Sequence, residues 1–418
     1  MGHFRRRVAA ALLVSGIFLL LHARSASAYS ILAHEGTVDA VWDSEIVPLL
    51  RERFVGLSPE QLTQARAYAY GGSLIQDLGY YPFGSHLFTN LTHYVRTGDF
   101  VQALIRGATT VDEYAFALGT LAHYASDNAG HPLAVNRAVP MMYPKVRAKV
   151  GDRALYVDSP ASHVMVEFAY DVLQVARGGY VAQAYRDRIG FEVSKPLLER
   201  AVRETYAVDL GDMLLDIDLA IGTYRLAVST TIPELTRIAW REKHEEIAKR
   251  TPDVTEQAFV YTLSRQDYER DYGTKYRKPG VFSRILAFLL KIVPKVGPFR
   301  PLDFEPLTAD AERLFDESVA ASRARYRALL QELRARRLTL PDTDFDTGHG
   351  PVFGDNGLAD ETNADLLHKL AKDHFTGVPP ELRQHLQRFF KDPAKASTQL
   401  SRKDVDRVRR ELAALQGH

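Results

Sequence analysis

Apolar positions recur at intervals of three and four along most of the chain, and no run alternates with a period of two. That pattern predicts an all-α protein. From Tyr29 to Val55, Ile31, Val38, Val41 and Trp42 share the helical spacing with His34 among them, which predicts a helix entering the core. Ser58 followed by Pro59 reads as a helix start. The helix after it runs into AYAYGGSLIQDLGYYPFGS, where Gly71, Gly72, Gly79, Pro82 and Gly84 predict a loop carrying Asp77 and His86. HLFTNLTHYVRTGDFVQALIRGA is helical on either side of a turn at Thr97-Gly98, and VDEYAFALGTLAHYASD is the most apolar helix of the chain. Asn128 to Tyr143, with Pro132, Pro140 and then Pro144, predicts a loop. His163 begins another long helix.

Beyond about Gly190 the helical period continues with more charge, and KHEEIAKR reads as a solvated face. Val281–Phe299 is apolar, with Arg284, Lys291 and Lys295 spaced through it. It reads as a packed helix ended by Pro294, with a membrane-surface helix as the alternative. Asp342, Asp344 and Asp346 alternate ahead of Gly348. A calcium loop would place Glu at its twelfth position, where Phe353 stands counting from Asp342, so the stretch reads as a structural turn. The tail from Leu400 is a charged helix. The organisation expected is a signal peptide over 1–28, a helical domain over 29–190 and a helical C-terminal region over 191–418.

A chain of 418 residues can bury a large core. Its 53 Lys+Arg against 52 Asp+Glu give no bias toward polyanions. Cysteine is absent, so disulfides and thiolate-bound zinc are excluded, and any zinc must be held by His, Asp and Glu. Arg5, Arg6 and Arg7, the uncharged run Val8 to Leu21 and the Ala26-Ser27-Ala28 site fit a signal peptide cleaved before Tyr29. An uncleaved anchor is the alternative, but the apolar run is short for a span. The expected location is periplasmic or secreted.

Six of the 14 histidines lie between His34 and His163. His123 and Asp127, Asp127 and His131, and His163 and Glu167 are each four apart, which sets each pair on one helix face. Imidazole nitrogen and carboxylate oxygen at that separation can grip one cation. A packed histidine bonded to a neighbour is the ordinary alternative for any one pair. Several such groups among apolar neighbours such as Leu118, Leu121 and Val164 argue for metal, because buried His and Asp need partners.

In order along the chain, Tyr29, His34, Asp77, His86 (or His93), His123, Asp127, His131, His163 and Glu167 form a constellation that resembles the zinc-dependent phospholipase C and S1/P1 nuclease superfamily. The resemblance implies an all-α domain holding three zinc ions. The amine and carbonyl of Tyr29, freed by signal removal, would bind one zinc together with His34. Asp127 would bridge two ions, and His131, His163 and Glu167 would hold the third. Asp77 would be a ligand and would orient the attacking water or take its proton. His86, at the loop-to-helix junction, would be the remaining imidazole, with His93 as its competitor. Tyr29 stands where the family has tryptophan, and Gln76 where proline is common. His131 follows Asp127 closely, and the step from Asp77 to His86 is short.

The implied reaction is phosphodiester hydrolysis. The H-x-x-x-E pair and the apolar Val281–Phe299 stretch, with the membrane-surface contact it would provide, favour a phospholipid substrate. The Tyr29-to-His34 spacing favours nucleic acid as the alternative. A non-catalytic helical zinc-binding periplasmic protein is the third reading.

Overall fold

The structure is a computed structural model that describes residues 31–176, 191–226 other than 215, 307–392 and 399–417, with isolated positions at 240, 244–245, 248 and 255–256. Tyr29, the segment 1–28 and Val281–Phe299 lie outside the described residues.

The first helices follow the predicted spacing with one interruption. α1 (Ile31–Asp39) carries His34, and a π-helical turn at Trp42–Ile46 links it to α2 (Val47–Arg53), so the single helix expected over Tyr29–Val55 is broken near Ala40. α3 (Pro59–Leu74) starts at Ser58, whose hydroxyl accepts from the Gln61 amide, with Pro59 in the first turn. Gly71 and Gly72 do not break it. They lie inside α3, and the chain then tightens into a 3₁₀ turn over Ile75–Tyr80 that carries Asp77. α4 (His86–Tyr94) and α5 (Thr97–Gly107) meet at Arg96, which adopts a left-handed backbone.

α6 (Val111–Gly130) opens with a reciprocal Thr110–Glu113 cap. The loop expected over 128–143 is helical instead. A π-helical turn at His131–Val135 places Pro132 where a new turn begins, and α7 (Asn136–Met142) contains Pro140. Proline at position 140 has no N–H for the Asn136 carbonyl four residues back. That carbonyl accepts from the Ala154 amide at 2.9 Å, so the proline is tolerated and its orphaned acceptor anchors another segment. α8 (Pro144–Val150), α9 (Pro160–Ala176), α10 (Lys195–Tyr206) and α11 (Ile217–Leu226) follow. The C-terminal part adds α12 (Ala309–Arg334), α13 (Gly357–Lys372), α14 (Pro380–Phe389) and α15 (Arg402–Gln416). Among the described residues no strand forms, and one isolated bridge pairs Asp344 with His349.

α3 and α6 form the centre of the packing, and two glycines set their separation. A Cβ on Gly72 would overlap the Phe116 carbonyl, and one on Gly119 would overlap the Ala69 carbonyl. The two backbones therefore approach more closely than any larger residue allows. α12 lies along α6, where the Tyr326 hydroxyl donates to the Leu118 carbonyl at 2.8 Å. One apolar core joins Ile31, Leu121, Tyr206, Leu330 and Leu415, so the C-terminal helices complete the core on which the N-terminal helices pack. No helix of the described residues is long and apolar enough to cross a membrane.

Candidate metal centre

Because α3 and α6 touch through glycine, the Ser73 carbonyl lies 2.9 Å from His123 Nδ1. That bond turns His123 Nε2 toward Asp127, one helical turn on, at 3.2 Å from Oδ2. His34 comes from α1 and stacks on the His123 ring with centroids 4.2 Å apart, its Nε2 3.3 Å from Asp127 Oδ1. Asp77, on the 3₁₀ turn after α3, lies 3.3 Å from His93 Nε2 through Oδ1 and 3.9 Å from His34 Nε2 through Oδ2. On the far side of Asp127 stand His131, His163 and Glu167, the last two one turn apart on α9.

Three groups result, each able to place one nitrogen or oxygen per residue within 4.8 Å of the others: His34, His123 and Asp127; Asp77, His93 and His123; His131, His163 and Glu167. The structure thus gathers His34, Asp77, His123, Asp127, His131, His163 and Glu167. It does not bring in His86, which is exposed as the first residue of α4. His93, seven residues on at the buried end of that helix, takes the place expected for it, with its Nε2 3.3 Å from both Asp77 and Asp127. The reason is helical geometry. Position 86 lies at the N-terminal end of α4, two turns before His93, whose ring faces Asp77, Asp127 and His123.

The donor set fits cations. Both oxygens of Asp77, of Asp127 and of Glu167, and Nδ1 of His163, are buried without a hydrogen-bond partner. Buried polar atoms are rarely left so, and an ion is one standard reason. Three imidazoles are also oriented from behind by main-chain carbonyls: His93 Nδ1 on Thr89 at 2.8 Å, His123 Nδ1 on Ser73, and His163 Nε2 on Ala154 at 3.0 Å. Each bond assigns the proton to one nitrogen and leaves the other a lone pair, the arrangement usual behind a metal-bound histidine.

The charges are strongly coupled. Burial pushes Asp127 up, yet His123 and His34 beside it hold it well below the usual carboxylate range. Burial, with Asp127 and Asp77 nearby, raises Glu167 well above it. Burial lowers His163 to about 3, with His131 adding to the shift, and lowers His131 to about 4. Burial opposes the charge on His93, but Asp127 and Asp77, each with an oxygen 3.3 Å from its Nε2, raise it to about 10. A carboxylate held ionised beside the neutral imidazoles of His34 and His131 is a ready cation site.

Residues 37–211 match the family described as zinc dependent phospholipase C. This segment, less than half of the chain, is similar to that family. The match covers all the gathered residues except His34, which lies just before it. No curated protein and no solved structure matches the chain. Two features near the centre carry no sequence motif. Tyr80 and Tyr156 pair with ring centroids 6.0 Å apart, and Tyr156 packs on His163 at 5.7 Å. Asp346, from the turn before α13, reaches His131. The alternating aspartates at 342, 344 and 346 were the only hint of it.

Proposed function

We propose that the chain is an exported phosphodiester hydrolase that uses zinc and cleaves phospholipid headgroups. The observation that carries this reading is the convergence of three His/carboxylate groups, with unpartnered buried oxygens, in a chain whose segment 37–211 is similar to the zinc-dependent phospholipase C family. The arginines at 5–7, the run Val8 to Leu21 and Ala26-Ser27-Ala28 support export to the periplasm or beyond.

His34, His123 and Asp127 would hold one ion, Asp77, His93 and His123 a second, and His131, His163 and Glu167 a third, with the Tyr29 amine completing the first. Zinc supplies Lewis acidity toward a phosphoryl oxygen and acidifies water. Asp127 presents Oδ1 to His34 and Oδ2 to His93 and His123, so one carboxylate serves two neighbouring groups. Asp77 has two oxygens without hydrogen-bond partners and is raised by burial, the property of a group that can take a proton from water or orient it. The carbonyls of Thr89, Ser73 and Ala154 keep the imidazoles from turning.

The test is hydrolysis by the signal-free protein of phosphatidylcholine vesicles and, separately, of single-stranded DNA, before and after chelation. Release of phosphocholine that chelation abolishes supports the proposal. DNA cleavage with no lipid turnover would shift the substrate to nucleic acid. Zinc held tightly with neither activity would make the centre structural.

A further inference from the structure

His131 differs from its neighbours in what stands behind it. Thr89, Ser73 and Ala154 each give one of the other imidazoles a main-chain carbonyl. His131 has no such bond. Its Nε2 points to the centre, 3.9 Å from Asp127 Oδ2, and its Nδ1 is buried without a hydrogen-bond partner. Opposite that nitrogen, at 3.7 Å, lies Oδ1 of Asp346, which is also buried and also without a hydrogen-bond partner. The two orphaned atoms face each other at a distance slightly too long for a hydrogen bond.

Asp346 is held in place from three directions. Its second oxygen accepts from the Tyr156 amide at 2.8 Å, its main-chain amide donates to Asp344 Oδ1 at 2.9 Å, and its carbonyl accepts from the Asn136 side chain at 2.6 Å. The preceding residue packs on the same centre. The Phe345 amide donates to the His93 carbonyl at 3.1 Å, and its ring lies 5.4 Å from the His93 ring and 6.1 Å from that of His123. Asp344, Phe345 and Asp346 all lie outside the segment 37–211 that carries the family match.

We propose that Asp346 is a positioning residue of the metal centre. Its carboxylate accepts the Nδ1 proton of His131, which fixes the tautomer that presents the Nε2 lone pair to the ion shared with His163 and Glu167. A carboxylate behind a metal-bound imidazole does this work and makes the ligand more basic. The C-terminal region thereby supplies part of the centre. The inference rests on the zinc-centre reading given above.

The test compares the full signal-free chain with Asp346→Asn and Asp346→Glu. In Asp346→Asn the Tyr156 amide claims the amide oxygen, so the NH₂ turns to His131 Nδ1 and favours the opposite tautomer. Zinc affinity is measured by chelator competition, and the His131 tautomer by side-chain nitrogen NMR of the zinc-loaded protein. Asp342→Asn, on the same turn but bonded through its side chain to the Gly98 and Asp99 amides and not to Asp346, is the control. The expected result is a loss of about 10- to 100-fold in affinity for one zinc in Asp346→Asn, the range usual for such partners. The His131 nitrogen signals should move, Asp346→Glu should recover part of the loss, and Asp342→Asn should keep wild-type affinity and signals. Unchanged affinity and unchanged His131 signals in Asp346→Asn overturn the proposal. So does loss of one whole zinc from Asp346→Asn with His131 signals intact, which would make Asp346 a ligand. A wild-type chain that binds no zinc overturns the centre itself, and is distinguishable because it fails before any variant is compared.

Discussion

Four imidazoles face the two oxygens of Asp127: His34 at 3.3 Å, His93 at 3.3 Å, His123 at 3.2 Å and His131 at 3.9 Å. Without a cation, charge in this cluster is balanced by protons. His93 is raised to about 10 by Asp127 and Asp77 against the effect of burial, and Glu167 is pushed well above the ordinary range by burial. His93 therefore carries a proton at neutral pH, and a metal must displace it. Zinc uptake at pH 7.5 should release protons, seen as calorimetric heats that change with the ionisation enthalpy of the buffer; heats independent of buffer would contradict this charge assignment. The i,i+4 pairs made most of the cluster legible in sequence, because helical spacing fixes which side chains share a face. The choice between His86 and His93 was not, since both lie on α4 and only the packing of that helix on the Ile75–Tyr80 turn, α5 and α13 decides which end is buried. His93→Ala should therefore lower the zinc content of the purified protein, and His86→Ala should leave it at the wild-type value.

At the scale of elements, the crossing of α3 and α6 sets the imidazole geometry. Gly71 and Gly72 read in sequence as breaking the helix into a loop, and no sequence signal marks Gly119. The partners of Gly72 and Gly119, the Phe116 and Ala69 carbonyls, belong to the opposite helix, so no local pattern could show the contact. Gly119→Ala should push the helices apart, cost about 1–3 kcal/mol by overpacking, and weaken zinc binding by moving Ser73 away from His123. Chemical denaturation and metal titration of the same sample check both. The prolines at 132 and 140 misled for a related reason. A proline forbids its own N–H bond, but a π-helical turn and the Ala154 amide absorb the consequences. On α14, His385 is lowered to about 3 by burial, with Arg96 and Arg388 adding, and its Nε2 lies 2.9 Å from Asn363 Oδ1. The folded chain resists protonation there, while the unfolded chain takes the proton near pH ~6.5. The stability this group contributes is complete above about 6.5 and falls as pH drops toward 3. His385→Gln should flatten the pH dependence of unfolding across that window by about 1.4 kcal/mol per pH unit; an unchanged slope would show that His385 is already protonated when folded.

The whole molecule joins what the family match divides. Residues 37–211 omit His34, α12 and Asp346, yet α12 lies along α6, and the turn at 342–346 packs on His93, His123 and His131. Among the described residues, one apolar cluster holds residues as far apart as Ile31 and Leu415. The all-helical class was legible from periodicity alone, whereas these contacts span more than two hundred residues of sequence and leave no local trace. A fragment ending at residue 226 should lack a cooperative thermal transition and bind zinc weakly, as calorimetry and metal titration can establish. The central claim is that buried His and carboxylate groups on separate helices hold a cluster of ions with Asp127 at its middle. Its most direct test is the metal content of the purified signal-free chain and of Asp127→Asn. The account predicts close to three zinc ions per chain, one for each His/carboxylate group, with a marked loss in the variant. A single ion or none in the wild type, or a content that Asp127→Asn does not change, would contradict it.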